Sequence, residues 1–210
     1  MPHLALLGDS IFDNAAYVGG GPAVIDQVRG LLPAGWRASL LAVDGSVTAD
    51  VIEQLRRLPG GVTHLVVSAG GNDALLESAV LSERTASMAV GLRRLASLGE
   101  SFEARYRGMV TSFVGRALPT ALCTIYYPAF PDPELRRITV AALATFNDCI
   151  IRVAIEHGLP LVDLRLTCDA RSDYANPIEP SAAGGAKIAR AITRLLAEHE
   201  FERGRTAVFT

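Results

Sequence analysis

The 210-residue sequence predicts an α/β fold in which a five-stranded parallel sheet lies between two layers of helices. Three observations carry this. Five short runs, His3–Leu7, Ala38–Val43, His64–Ser68, Ala121–Tyr126 and Leu159–Asp163, are nearly continuous in apolar residues, as strands covered on both faces are. Helical patterns fall between them. Strand and helix alternate through the chain, which implies right-handed crossovers and an open three-layer sheet.

The helical segments read as about 22–32, 47–58, 77–118, 134–157 and 181–199. The long segment 77–118 reads as two helices broken near Leu98-Gly99. Ser46 or Thr48 can start the second helix. His157-Gly158-Leu159-Pro160 is a helix stop followed by a strand. There is no internal repeat, low-complexity segment or linker, so residues 1–210 are expected to form one domain. The stretch from about Arg203 has no place in this scheme and reads as a tail or a partner-binding strand.

Composition narrows the function classes. Half of the residues are hydrophobic, enough for a substantial core. The net charge is −2 with both signs interspersed, which gives neither a nucleic-acid footprint nor a polybasic membrane patch. The three cysteines, Cys123, Cys149 and Cys168, have no motif spacing and are expected to be reduced. The amino terminus lacks the basic and long apolar regions of a secretion signal, and no apolar run approaches the ~20 residues of a membrane span. The expectation is a soluble cytoplasmic protein. No spacing of His, Cys, Asp or Glu specifies a metal, and no cofactor is expected.

In such a sheet, function collects at the carboxyl ends of the strands. Gly8-Asp9-Ser10 follows the first strand and presents the Ser10 hydroxyl at the open edge. This is a nucleophile's position, although Asp9 or Ser10 can equally cap a turn. Gly45 follows the second strand and offers a backbone N–H. Gly70-Gly71-Asn72-Asp73 follows the third, where glycines let the backbone approach a ligand and the Asn72 amide can donate to a developing oxyanion. Each segment alone reads as an ordinary turn. Together, at the ends of three consecutive strands, they read as a site. Tyr126, Tyr127 and Phe130, after the fourth strand, are either its wall or core.

These blocks resemble the SGNH/GDSL hydrolases. That family has a serine in a Gly-Asp-Ser block after strand 1, a glycine after strand 2 and an asparagine in a Gly-x-Asn-Asp block after strand 3. An Asp-x-x-His block precedes its last helix. "FNDCI", "HGLPLVDL" and "NPIEPSAAGGAKIA" are similar to its closing helix–strand–helix run. The resemblance implies a flavodoxin-like three-layer fold and hydrolysis of a small ester or acylated substrate. The fourth block departs from the family: Asn176 stands at its aspartate position and Glu179 at its histidine position.

No other histidine can substitute in this fold. His3 and His64 begin strands, about 20 Å from the carboxyl edge at ~3.3 Å per residue. His157 lies at the same far edge, and His199 ends the last helix, roughly 25–30 Å from Glu179 at ~1.5 Å per residue. Glu179 therefore has three readings. It is a general base whose pKa is raised by burial and by the acidic edge of Asp9, Asp13, Asp44 and Asp73. It is a structural or ligand-binding carboxylate in an impaired enzyme that binds an acyl or carbohydrate ligand. Or it caps the last helix. The candidate site is Ser10, Gly45, Asn72 and Glu179. A rival of another class, a flavodoxin-like domain performing Mg²⁺-dependent phosphoryl chemistry, lacks a phosphate-cradling loop.

Overall fold

The computed structural model describes all residues from Met1 to Thr210. Strand β1 (His3–Gly8) leads through helix α1 (Val24–Leu31) to β2 (Arg37–Leu40). Helix α2 (Thr48–Arg56) leads to β3 (His64–Ser68), and the short α3 (Gly71–Leu76) is followed by a 3-10 turn, Ser78–Ser82. The long α4 (Met88–Val114) returns the chain to β4 (Thr120–Cys123), and α5 (Pro133–Glu156) to β5 (Leu161–Val162). Then come α6 (Leu164–Thr167), an antiparallel pair β6 (Tyr174–Asn176) and β7 (Glu179–Pro180), α7 (Ala182–Glu198) and β8 (Val208–Phe209).

The main sheet is parallel with order β2-β1-β3-β4-β5-β8. All six residues of β1 are buried, as the continuous apolar run requires. One core cluster, on the α1 and α7 face, gathers Leu4, Leu6, Val24, Val28, Ile188 and Ile192. The other, on the α2, α4 and α5 face, gathers Leu7, Val51, Phe102, Met109, Phe146 and Ile150.

Two expectations change. The sheet has six strands, not five, because the segment read as a tail ends in β8. There Val208–Phe209 pairs with β5: Leu161 N–H donates to Ala207 O at 2.8 Å and Asp163 N–H to Phe209 O at 2.8 Å. Two residues are too few to show an apolar periodicity. The second change is in the segment 77–118, where the break falls between the 3-10 turn and α4, not at Leu98-Gly99. The Ser87 side chain caps α4 by accepting from Val90 N–H. Gly99 stays helical because α4 and α5 cross there. A Cβ on Gly99 would lie 2.6 Å from Thr145 Cγ2, so this glycine serves close packing and not a bend.

Helix α5 is the one helix long and apolar enough by composition to cross a membrane, with a mean hydropathy of 1.7 in its most apolar window. It packs instead on α4 and the sheet, burying Phe146, Cys149, Ile150 and Val153. It ends at Gly158, whose φ of +63° makes the left-handed stop read from the sequence. Asn147 fastens it to the carboxyl end of β4: its side chain accepts from Ile125 N–H at 2.8 Å and donates to Ile125 O at 2.9 Å. Residues 133–146, ~20 Å of helix, therefore extend past the sheet edge. The amino-terminal part of α4, before the Gly99 crossing, runs beside them.

Removing residues 208–210 should expose the edge of β5 and the pocket of Phe209, which is 8 % exposed. The truncated protein should lose about 2–4 kcal/mol of stability in urea unfolding. A loss below about 0.5 kcal/mol would show that β8 does not hold the sheet edge.

Candidate active site

The carboxyl ends of β1 and β3 approach so closely that only glycine fits between them. A Cβ on Gly8 would stand 1.7 Å from Ser68 O, and Gly8 has a φ of +130°. The Gln54 side chain clamps Gly8 from α2, accepting from its N–H at 2.7 Å and donating to its carbonyl at 2.8 Å. The chain then turns sharply, with Phe12 and Asp13 N–H both donating to Asp9 O at 3.1 Å. Ser10 sits at the crest of this turn. Its backbone N–H has no partner within the protein.

At the end of β3, Gly70 takes a φ of +116°, and a Cβ there would meet Phe102 Cζ at 2.8 Å. This turn starts α3 and brings Asn72 to the cavity that Ser10 also lines. The Asn72 amide donates one N–H to Ser46 O at 3.0 Å, leaving its second N–H for the cleft. Asp73 turns away from the cleft: it accepts from Thr48 N–H at 2.9 Å and Thr48 Oγ1 at 2.7 Å, with Arg105 3.7 Å off.

Glu179 is delivered by the β6–β7 hairpin, which three contacts pin to the sheet edge. Tyr126 Oη donates to Ile178 O, Asn14 Nδ2 donates to Pro180 O at 3.2 Å, and Ala129 N–H donates to Pro177 O at 2.8 Å. Asn176 builds the turn by accepting from Ile178 N–H at 2.9 Å. The reading of Glu179 as a helix cap fails, because Ser181 caps α7 by accepting from Ala183 and Gly184 N–H.

Ser10, Asn72 and Glu179 line one cavity of about 380 Å³. Gly45 does not. It lies on an exposed turn closed by Ser46 N–H donating to Val43 O at 3.1 Å. Its N–H is unpartnered, but Ser46 is the residue of that turn that touches Asn72. Tyr126 and Phe130 are wall, and Tyr127 is not. The histidines lie where the topology put them: His3 and His64 open β1 and β3, His64 stacks with Trp36, and His199 packs on Phe201 and Phe209.

Burial dominates the electrostatics. Glu179 is 7 % exposed, and one carboxylate oxygen, Oε2, has no hydrogen-bond partner. Burial raises its pKa from 4.5 to about 7, the Ser10 hydroxyl facing it pulls the other way, and Asp44 adds a smaller upward push. The expected push from the whole acidic edge reduces to Asp44. Asp13 is occupied in accepting from Asp44 N–H at 3.0 Å, and Asp73 is bound to Thr48. Asp9 is buried too, at 3 % exposed, and lines the same cavity. Burial lifts it to about 7, opposed by the Ile11 N–H and assisted by Glu179. The sequence reading took Asp9 as a turn cap or one of the edge charges. It missed Gln54, Asn14 and Tyr126 as positioning groups, because nothing local marks a residue whose partner lies 46, 166 or 52 positions away.

The profile of the GDSL-like Lipase/Acylhydrolase family matches residues 6–187. The chain belongs to this family. Solved structures of similar fold include an extracellular lipase from Streptomyces rimosus (18% identity, covering 95% of this chain and 100% of that one, TM-score 0.66). An acetylxylan esterase from Geobacillus stearothermophilus is similar to the same degree (19%, 95% of both chains, TM-score 0.66). A lipolytic G-D-S-L protein from Veillonella parvula shares the fold at lower identity (12%, 95% and 100%, TM-score 0.69). No curated protein matches the chain by sequence. The matched residues include Gly8-Asp9-Ser10, Gly70-Gly71-Asn72-Asp73 and Glu179.

The raised pKa of Glu179 has a sign for stability. The unfolded glutamate ionises near 4.5 and the folded one near 7, so Glu179 costs stability progressively as pH rises through that window and fully above it. Glu179→Gln should therefore stabilise the protein by about 1–3 kcal/mol at pH 8 and by less at pH 5. Urea unfolding at both pH values checks this, and an equal effect at the two would mean that Glu179 is not held protonated.

Proposed function

We propose that this GDSL hydrolase cleaves a small ester or acylated substrate with Ser10 as nucleophile and Glu179 as base. The observation that carries the proposal is the Glu179 carboxylate: buried, facing the Ser10 hydroxyl, raised to about 7 and left with an unpartnered oxygen. A base is most effective when its pKa lies near the working pH, and an exposed glutamate is too acidic for the task.

In this reading, Glu179 takes the proton of Ser10 Oγ as the oxygen attacks the ester carbon. The developing oxyanion accepts from the Ser10 N–H and the free Asn72 Nδ2–H. Protonated Glu179 then gives its proton to the departing alkoxide, leaving an acyl-serine and an alcohol. A water, losing its proton to Glu179, attacks the acyl-serine. Collapse releases the carboxylic acid and returns the proton to Ser10.

Three measurements test this. A fluorophosphonate probe should label Ser10 in wild type and not in Ser10→Ala. The kcat/KM for an activated ester should rise with pH through an inflection near 7, where Glu179 ionises. Glu179→Gln should lose that inflection and about 10²–10⁴ of the rate. Unlabelled Ser10 in folded protein, or an unchanged pH profile in the glutamine variant, would overturn the reading and favour a ligand-binding protein with impaired chemistry. The double variant Glu179→His, Asn176→Asp restores the family's fourth block. It should raise the rate at pH 8, since aspartate can still accept from Ile178 N–H.

A further inference from the structure

The cavity is far larger than the chemistry at Ser10 needs, and its extra volume lies to one side. Of its 28 lining residues, 17 are hydrophobic, and most of those come from α3, α4, α5 and the 3-10 turn Ser78–Ser82. From α5, Leu135, Ile138, Ala142 and Phe146 face it at spacings of three and four, with Leu143 beside them, one continuous stripe of the helix. Leu95 and Leu98 face it from α4. Both helices reach past the sheet edge here, because Asn147 fixes the level of α5 and the Gly99 crossing fixes that of α4. The floor is closed, with Phe146 3 % exposed, and the far end is open, with Leu135 and Ile138 each 41 % exposed. From Phe146 to Leu135 the stripe rises ~16 Å. That is about half of the ~30 Å hydrocarbon thickness of a bilayer, which two acyl chains end to end span.

The slot also has an orientation relative to the base. Glu179 leads directly into α7 and so belongs to the α1 and α7 side of the sheet, whereas the slot belongs to the α4 and α5 side. Ser10 and Asn72 stand between them. A leaving alcohol must depart toward the group that protonates it, here Glu179. The acyl group then points the opposite way.

We infer that the slot between α4 and α5 is an acyl-chain site, and that this protein selects esters of linear fatty acids over acetyl esters. Leu98, Ala142 and Phe146 line its inner part. The inference rests on the assignment of Ser10 and Glu179 proposed above, from which the direction of the acyl group follows.

The test compares p-nitrophenyl esters from acetyl to decanoyl with acetyl esters of alcohols of the same lengths. It also follows the binding of cis-parinaric acid to Ser10→Ala and its displacement by octanoate. Each added acyl methylene should raise kcat/KM about fourfold, the equivalent of ~0.8 kcal/mol, until the slot is filled. Ser10→Ala should bind the fluorescent fatty acid. Ala142→Trp, which fills the slot from α5, should cut the octanoyl-to-acetyl ratio about tenfold or more and weaken fatty-acid binding. Leu98→Trp makes the same test from α4 if the first variant does not fold. Ester hydrolysis with a flat acyl series, or with the gain on the alcohol side, overturns the inference and leaves the hydrolase reading standing. Fatty-acid binding that Ala142→Trp weakens, without hydrolysis of any ester, overturns the hydrolase reading and keeps the slot. Neither hydrolysis nor binding overturns both.

Discussion

A carboxyl group buried against a serine is the constraint on which the rest of this site depends. Glu179 has no cation among the groups that shift it, so its charge is opposed by burial and favoured only by the Ser10 hydroxyl. Such a group is costly unless the surroundings hold it in place. Those surroundings are explicit: Tyr126 and Asn14 grip the carbonyls on either side of Glu179, and Ala129 grips the hairpin from the end of β4. Asn14 is itself fully buried and also accepts from Val24 N–H at 2.9 Å, so the entry to α1 and the glutamate's hairpin share one side chain. The positioning groups are thus part of the fold's own hydrogen bonding.

The site is equally a product of close backbone approach. Ser10 can stand at the edge because Gly8 lets β1 lie against Ser68 without a side chain between them. Gln54 satisfies both polar groups of Gly8 and reaches Ser46 Oγ at 3.2 Å, tying the ends of β1 and the 43–46 turn together. Ser46 O in turn orients the Asn72 amide. The serine, the amide and the turn that carries Gly45 are therefore one connected network, in which displacement of a single member moves the others.

The sheet separates two kinds of lining in the cavity. Its α1 and α7 side carries the Glu179 carboxylate, and its α4 and α5 side carries the apolar wall. Two helices of 27 and 24 residues are much longer than the strands they cover, and their surplus length becomes the cavity. The apolar composition of α5 follows from this position. One stripe of the helix packs on the core and another lines the cavity, which leaves little of it for polar residues.

Much of this was legible in the sequence. Apolar runs alternating with helical patterns determined the three-layer fold, because strands joined through helices run parallel and are covered on both faces. Gly8-Asp9-Ser10 and Gly70-Gly71-Asn72-Asp73 announced themselves because turn chemistry is local. The absence of a usable histidine followed from topology alone, since strand direction assigns each one to an edge. What the tertiary structure decided was everything that depends on partners distant in the chain. It brought Ser10, Asn72 and Glu179 to one cavity and left Gly45 outside it on an exposed turn. It moved the helix break from Gly99 to Ser87, and it recruited the last residues as a sixth strand. It also lifted the Glu179 pKa mainly by burial and not through the neighbouring aspartates. Burial and close packing are sums over many residues remote in sequence, and no short stretch of sequence carries such a sum.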